Sequence, residues 1–133
     1  MRIWVLLLAI SVTLGIAMNN NEIESATVKP PSKVLRHVVL YKFKDDLAPE
    51  KVQAVVDAFV SLPKKIDTIV GFEHGTNVSQ EGKSEGLTHC FVVTSRDEMG
   101  RETYLGHAAH QEFVKLVRER REKVVVFDYL ADE

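Results

Sequence analysis

Apolar and polar positions along the chain follow the period of a strand in some segments and that of a helix in others. Residues 34–43 (VLRHVVLYKF) carry β-branched and aromatic side chains on both faces, which predicts a strand buried on two sides. Residues 49–62 repeat apolar side chains three or four positions apart and begin with Pro49, as expected of an amphipathic helix. Pro63 then ends this helix.

The rest of the pattern predicts two further strands, a helical region and a closing strand. Residues 70–79 predict a weak strand that runs into a turn-rich segment, and residues 87–95 predict a strong strand. The helical period returns over residues 97–122, with a break near Gly106. Residues 124–129 (VVVFDY) predict the last strand.

The order of these elements, β-α-β-β-α-β, predicts an α+β fold. In this plan the first and third strands pair at the centre of a four-stranded antiparallel sheet, and both helices cover one face. The other face would be apolar because of six side chains: Val38, Leu40, Cys90, Val92, Val125 and Phe127. A bare apolar face of this size needs a cover, and a second copy of the sheet is the simplest one. The pattern therefore predicts a homodimer through the sheet face.

The N-terminal segment does not fit this domain. A run of 15 uncharged residues (3–17) follows a positively charged start, and it is short for a spanning helix but typical of a secretory signal. Gly15 and Ala17 suit a cleavage site, which makes residues 1–17 the predicted signal peptide, while the polar residues 18–33 predict an extended linker. We therefore expect an exported protein with no membrane attachment after cleavage. The alternative is an uncleaved N-terminal anchor.

Size, charge and cysteine content narrow the classes of function. The chain has 133 residues, the size of one domain, and a formal net charge of −2 with Lys and Arg scattered among acids. That balance gives no basic footprint for nucleic acid, so no nucleic-acid partner is expected. Cys90 is the only cysteine, so no internal disulfide can form and the core must hold the fold.

Three histidines fall on positions that face the predicted core. His37 and His89 lie on the helix-facing side of the two central strands, and His110 lies on the apolar stripe of the second helix. Tyr104 and Asp128 have the spacing to reach the same space. Polar groups that converge in an apolar cavity are the usual picture of a small-molecule site.

Two other interpretations fit the histidines. Buried imidazoles need hydrogen-bond partners and can satisfy one another in an ordinary core. Alternatively, a helix can bring His107 and His110 to one metal ion, with His37 or His89 as a third ligand. No pair of carboxylates or cysteines nearby completes such a ligand set.

His74 lies on the weak strand, and we expect it to be in solvent.

Several segments together resemble the stress-responsive A/B barrel (Dabb) domain family. They occur in the family's order along the chain: residues 36–44 (RHVVLYKFK), Thr88-His89, His107 with His110, and residues 126–129 (VFDY). The resemblance covers residues 34–131. It implies a ferredoxin-like protomer whose sheet joins that of a second copy in a dimeric α/β barrel.

Within the family, the spacing is similar to that of plant polyketide cyclases of the olivetolic acid cyclase type. This resemblance implies that His110 acts as a general base and that Tyr104 assists by hydrogen-bonding an enolate oxygen. We expect the ligand to contact six further residues: His37, His89, Val39, Tyr41, Phe59 and Asp128.

The sequence also departs from the family's pattern. Ala108 stands where members commonly have a proline, and residues 118–121 (RERR) offer no tryptophan where the plant cyclases have bulky aromatics. The substrate must therefore differ even if the chemistry is shared. No cofactor is expected, although some family members hold magnesium through backbone carbonyls in the segment that corresponds to Pro63 through Ile69.

Two functions remain open at this point. We favour an exported homodimer that binds a small apolar or carbonyl-bearing molecule or protects against stress, since activated polyketides are scarce outside the cell. The alternative is a cyclase or isomerase that needs no cofactor, with His110 as base and Tyr104 as donor. That alternative requires both side chains to face one solvent-reachable cavity.

Overall fold

The computed structural model describes residues 32–133. The predicted signal peptide lies outside the described residues, as does nearly all of the predicted linker. Seven elements and one short 3₁₀ turn follow in chain order: β1 (Lys33–Phe43), α1 (Pro49–Ser61), the turn (Leu62–Lys64), β2 (Gly71–Thr76), β3 (His89–Ser95), α2 (Glu98–Gly106), α3 (Ala108–Arg118) and β4 (Arg121–Asp132).

The four strands form one antiparallel sheet in the order β2-β3-β1-β4. β1 and β3 are the central pair, with Val39 opposite Phe91, as the sequence pattern predicts. β4 pairs with the other side of β1 along almost its whole length, and this register sets His37 opposite Asp128. The architecture is therefore the predicted α+β, ferredoxin-like one, with the second helical region divided into α2 and α3.

Each helix begins at a residue whose chemistry explains the start. Pro49 opens α1 at a position where its missing N–H costs nothing. The carboxylate of Asp97 accepts a hydrogen bond from Gly100 N at 2.8 Å and caps α2. The ring of His107 plays the same part for α3, because its Nδ1 accepts from Ala109 N at 3.1 Å. This second cap explains why the helical region breaks next to Gly106.

The hydrophobic core lies between the helices and one face of the sheet. Phe59 of α1 is at its centre, with its ring 4.4 Å from that of Phe91 on β3 and 4.5 Å from that of Phe113 on α3. Val55 and Val93 are fully buried beside it. The sheet and two helices thus meet through aromatic contacts, and Phe59 and Phe113 also line the site described below.

The opposite face of the sheet carries apolar side chains that no helix among residues 32–133 covers; only the loop between β2 and β3 approaches one end of it. Phe127 and Tyr129 on β4 are 63% and 45% exposed, and their rings lie 6.2 Å apart. The other predicted members of this face are half-buried: Val38, Leu40, Cys90, Val92 and Val125. The bare apolar face that the alternation of side chains predicts is therefore present.

The boundaries of four elements differ from the sequence-based ones. The helical region ends at Arg118 rather than 122, because Lys44 N bonds to Arg120 O and Arg121 already pairs with β1. β4 consequently begins three residues earlier than predicted. β2 is shorter than residues 70–79, and β3 starts at His89 because Leu87 N closes a turn onto Ser84 O.

The helices are short, and α1, with 13 residues, is the longest. Among residues 32–133, none combines the length and apolarity that crossing a bilayer requires.

Replacing Phe59 by alanine tests whether the aromatic centre holds the layers together. The side chain is 1% exposed, so we expect the free energy of unfolding to fall by about 3–5 kcal/mol in urea denaturation. Val60, the next residue on α1, is 41% exposed. Val60→Ala should therefore change the free energy of unfolding by no more than about 0.5 kcal/mol. Equal effects of the two substitutions would contradict this description of the core.

Candidate functional site

A cavity of about 450 Å³ lies between the helices and the side of the sheet formed by β1 and the edge strand β4. We call it the histidine cavity. Its walls come from β1, α1, α2, α3 and β4, and they include seven of the eight residues predicted from the sequence: His37, Val39, Tyr41, Phe59, Tyr104, His110 and Asp128. The cavity reaches solvent past Val126 of β4, which is 53% exposed.

A row of three rings forms one wall of the histidine cavity. The Tyr104 ring lies 4.4 Å from the His110 ring and 5.6 Å from the His37 ring, measured between centroids. The break at His107 produces this arrangement, because α2 ends just after Tyr104 and α3 begins just before His110. A phenol and two imidazoles are thus held side by side by two helices and the central strand.

The ring of His110 is held in one tautomer. Its Nδ1 lies 3.0 Å from the carbonyl oxygen of Leu105, and a carbonyl can only accept, so Nδ1 carries the proton. The lone pair is then on Nε2. Burial lowers the pKa of His110 below its ordinary value of 6.5; the bond to Leu105 opposes this shift, and the charge of a protonated His37 adds to it. At neutral pH the ring is a neutral base.

The two tyrosines of the cavity remain protonated at neutral pH. Tyr104 is 1% exposed, and burial raises the pKa of its phenol far above 10. Burial likewise raises the pKa of Tyr41 to about 12, although the nearby Arg121 guanidinium lowers it in part. Both hydroxyls can therefore donate a hydrogen bond to a ligand, and neither bonds to any other residue in the described part of the chain.

A hydrogen-bonded network holds His37 in place beside Tyr104. His37 Nδ1 donates to Asp128 Oδ1 at 2.7 Å, across the β1–β4 ladder. Arg101 Nη1 donates to Asp128 Oδ2 at 2.9 Å, and its Nη2 donates to Glu102 Oε1 at the same distance. The carboxylate of Asp128 thus receives two donors and orients the imidazole.

His89 is the predicted site residue that the structure does not bring into the histidine cavity. It lies on the expected side of the sheet but pairs with Tyr41, four residues along β1 from His37. Its ring packs 5.0 Å from that of Phe43, and its Nδ1 lies 2.8 Å from Thr88 Oγ1. Burial, and the nearby His74, lower the pKa of His89. His89 shares the face but not the cavity, because β3 and β4 lie on opposite sides of β1 and the cavity is on the β4 side.

His89 instead lines a second cavity of about 450 Å³ beside the apolar sheet face, together with Cys90 and Val125. His74 is exposed, as expected, with its ring 5.7 Å from that of Phe91.

The sequence pattern did not identify three charged residues of the histidine cavity: Arg101, Glu102 and Arg121. Charged residues on short helices and at strand ends are usually solvated, so nothing singled them out. A signal for Arg101 did exist, because it precedes Tyr104 by three residues and therefore shares its side of α2. Arg121 had no comparable signal, since its direction depends on an irregularity in β4.

The metal alternatives predicted from the sequence stay predictions. Within residues 32–133, no three His, Cys, Asp or Glu side chains lie close enough to hold an ion together. The Nδ1 atom of His107 is engaged in capping α3, so only its Nε2 is open to an ion. In the segment considered for magnesium, the carbonyl oxygen of Ile66 already accepts from Ile69 N at 3.2 Å. Magnesium binding there remains a prediction.

Comparison with known proteins identifies related chains. The profile of the family described as the stress responsive A/B barrel domain matches residues 35–131. The chain is 34% identical over 95 residues to the Arabidopsis thaliana stress-response A/B barrel domain-containing protein HS1, a match that covers 71% of this chain and 87% of that one. It is 30% identical over 95 residues to olivetolic acid cyclase from Cannabis sativa, covering 71% and 94%.

A solved structure is similar as well. The crystal structure of a dimeric protein of unknown function with a ferredoxin-like fold, from Bacteroides fragilis, matches with a TM-score of 0.59 and 26% identity. The match covers 72% of this chain and 94% of that one.

NMR titration tests the electrostatic description of the site. Because burial is the largest influence on His110, its ring C–H resonances should titrate with a midpoint below 6.5. The neutral ring is then the form stabilised by folding, so stability that it contributes is present above the ordinary pKa and is lost as the pH falls through the folded one. The resonances are assigned by their absence in His110→Gln. A midpoint at or above 6.5 would show that the ring is not desolvated.

Proposed function

Since the chain belongs to the stress-responsive A/B barrel domain family, we propose that it binds a small carbonyl compound in the histidine cavity and catalyses proton transfer on it. The reaction needs no cofactor in this proposal. The observation that carries it is that His110 and Tyr104 line one solvent-reachable cavity. An enzyme with His110 as base and Tyr104 as donor requires this arrangement. The 30% identity to a plant cyclase supports the same class of chemistry.

The proposed step is the removal of a proton from a carbon that lies between two carbonyl groups. His110 Nε2 takes the proton, the C–H electron pair moves into the neighbouring carbonyl, and an enolate forms. The Tyr104 hydroxyl donates a hydrogen bond to the enolate oxygen, and its high pKa keeps that proton in place. The enolate then takes a proton back at another carbon, which is isomerisation, or attacks a second carbonyl, which is cyclisation.

The hydrogen-bonded network of His37 has a positioning role in this proposal. Asp128 holds the proton on His37 Nδ1, and Arg101 fixes Asp128 in turn. The His37 ring therefore keeps a fixed distance from Tyr104, which fills the space between the two imidazoles. A rigid wall of this kind holds the base and the donor in one geometry, and fixed geometry is a large part of catalysis by proximity.

A second candidate is a stress-protective protein that binds its ligand without changing it. This function was favoured on the sequence, and the name of the Arabidopsis relative supports it. The two candidates share the cavity and differ in whether bound ligand is converted.

Export and dimerisation complete the proposal. Export rests on the apolar run at residues 3–17, and the proposed homodimer rests on the bare apolar face with Phe127 and Tyr129 at its edge. The similar Bacteroides fragilis protein, which is dimeric, supports association of this kind. A two-fold axis would set each apolar face against its copy.

The rate at which a bound compound exchanges its α-proton tests the catalytic proposal. A set of β-dicarbonyl compounds is dissolved in deuterated buffer with the protein, and loss of the α-proton signal is followed by NMR. General bases contribute about 10²–10⁴-fold, so we expect His110→Ala to slow the enzyme-dependent exchange by at least about 100-fold. Tyr104→Phe should slow it by about 100-fold or more, because a donor to the enolate is lost.

His74→Ala is the matched control for this experiment. It removes an exposed histidine outside the cavity and should leave the exchange rate unchanged. Equal exchange rates for wild type and His110→Ala, with ligand still bound, would reject catalysis and leave the binding function.

A charge on the apolar face tests the proposed dimer. In sedimentation at micromolar concentration we expect wild type at twice the mass of one chain and Phe127→Glu at the mass of one chain, since a buried unpaired carboxylate is costly. Met99→Glu, at a residue 77% exposed on α2, should remain dimeric. A wild-type protein that sediments only as a single chain would refute the proposal.

A further inference from the structure

The two arginines that line the histidine cavity differ in their partners. Arg101 is neutralised, because Asp128 and Glu102 each lie 2.9 Å from one of its terminal nitrogens. Arg121 lines the opposite end of the cavity beside Tyr41 and Val124. Among residues 32–133, no carboxylate lies within ion-pair distance of Arg121. The cavity therefore contains one cation without a counter-charge from the described residues.

An irregularity in the β1–β4 ladder directs Arg121 toward the cavity. Lys42 pairs with Lys123, but the next residue, Phe43, pairs with Arg121 rather than Glu122. One extra residue in a strand forms a bulge, and a bulge changes the side to which the neighbouring side chain points. Phe43 is buried on the helix side, so the bulge brings Arg121 to that side as well.

The bulge is held from outside the cavity. Glu122, the residue left without a pairing partner, forms an ion pair with Lys42 at 2.8 Å. Glu122, the sequence neighbour of Arg121, is thus paired with Lys42 and not with Arg121. The Arg121 guanidinium instead lies near enough to Tyr41 to lower the pKa of its phenol against the effect of burial.

The charges at the two ends of the cavity are opposite. Asp128 and Glu102 share a single arginine, so that end carries excess negative charge when His37 is neutral. Arg121 makes the other end positive. An elongated ligand with one anionic group would enter in a single orientation, with that group at Arg121 and away from Asp128.

We propose that the ligand of the histidine cavity carries a carboxylate, which Arg121 and the Tyr41 hydroxyl bind, while the rest of the molecule extends toward Tyr104 and His110. A guanidinium matches a carboxylate through two parallel hydrogen bonds, and a protonated phenol adds a third donor. This inference rests on the proposed function for the identity of the reacting end, and it adds the class of substrate.

The spacing along β1 bounds the length of such a ligand. Tyr41 and His37 are four residues apart, roughly 13 Å at the rise of a strand. The side chains between them in the cavity are apolar, including Val39 and Phe59. The substrate class is therefore a keto acid whose carboxylate is separated from the reacting carbon by a short apolar chain or ring, rather than a neutral diketone.

Binding of unreactive probes tests this inference separately from catalysis. Straight-chain carboxylates from butyrate to decanoate, the primary amides of the same lengths and the matching alkyl phosphates are titrated into wild type and followed by calorimetry. We expect carboxylates of intermediate length to bind about tenfold or more tightly than their amides, the effect of one charge-assisted pair. Arg121→Gln should remove this preference, and Arg121→Lys should keep part of it.

One control separates the outcomes. Arg118→Gln, at an exposed arginine on α3, should leave the preference intact, because Arg118 lies outside the cavity. Equal binding of acid and amide by wild type, or no binding of any carboxylate, would overturn the inference without any variant having to fold. A preference kept by Arg121→Gln, or tighter binding of the phosphates, would also overturn it. Failure of His110→Ala to change proton exchange would instead reject the catalytic proposal alone.

Discussion

The register in which β4 pairs with β1 determines what the histidine cavity contains. It sets Asp128 opposite His37, where the two side chains bond at 2.7 Å, and it sets Val126 opposite Val39 on the same face. Because the helices do not cover this edge strand, the space between them remains open to solvent at Val126. A one-residue slip would turn Asp128 and Val126 to the other face. The cavity would then lose the partner of its histidine.

The same sheet carries apolar side chains on both faces, and the chain supplies helices for only one. The helical side buries Phe59 and Phe91 in a well-packed core and leaves a cavity at one edge. On the other side Phe127 and Tyr129 face solvent in a single chain. A two-fold related copy covers such a face without any additional segment. The lack of helices on this face therefore favours association of two chains.

Much of this arrangement is encoded in local patterns. The period of apolar residues predicted the order of elements and the central pairing, and the alternation along β1 and β4 correctly assigned His37 and Asp128 to the side of the helices. Local patterns failed where a contact distant in sequence decided the outcome. His89 shares a face with His37 but lies on β3, on the side of β1 away from the cavity, and Arg121 enters the cavity through a bulge that no periodicity reveals.

The proposed proton transfer requires His110 to be a neutral base beside the Tyr104 phenol in one open cavity. Its most direct test is the pH dependence of wild-type α-proton exchange on a β-dicarbonyl probe at limiting probe concentration, which reports groups of the free protein. We expect a plateau at neutral pH and a loss of rate toward acid, with a midpoint below 6.5 equal to that of His110 in the NMR titration. A rate that rises in proportion to hydroxide with no plateau, or a midpoint unrelated to that of His110, would contradict it.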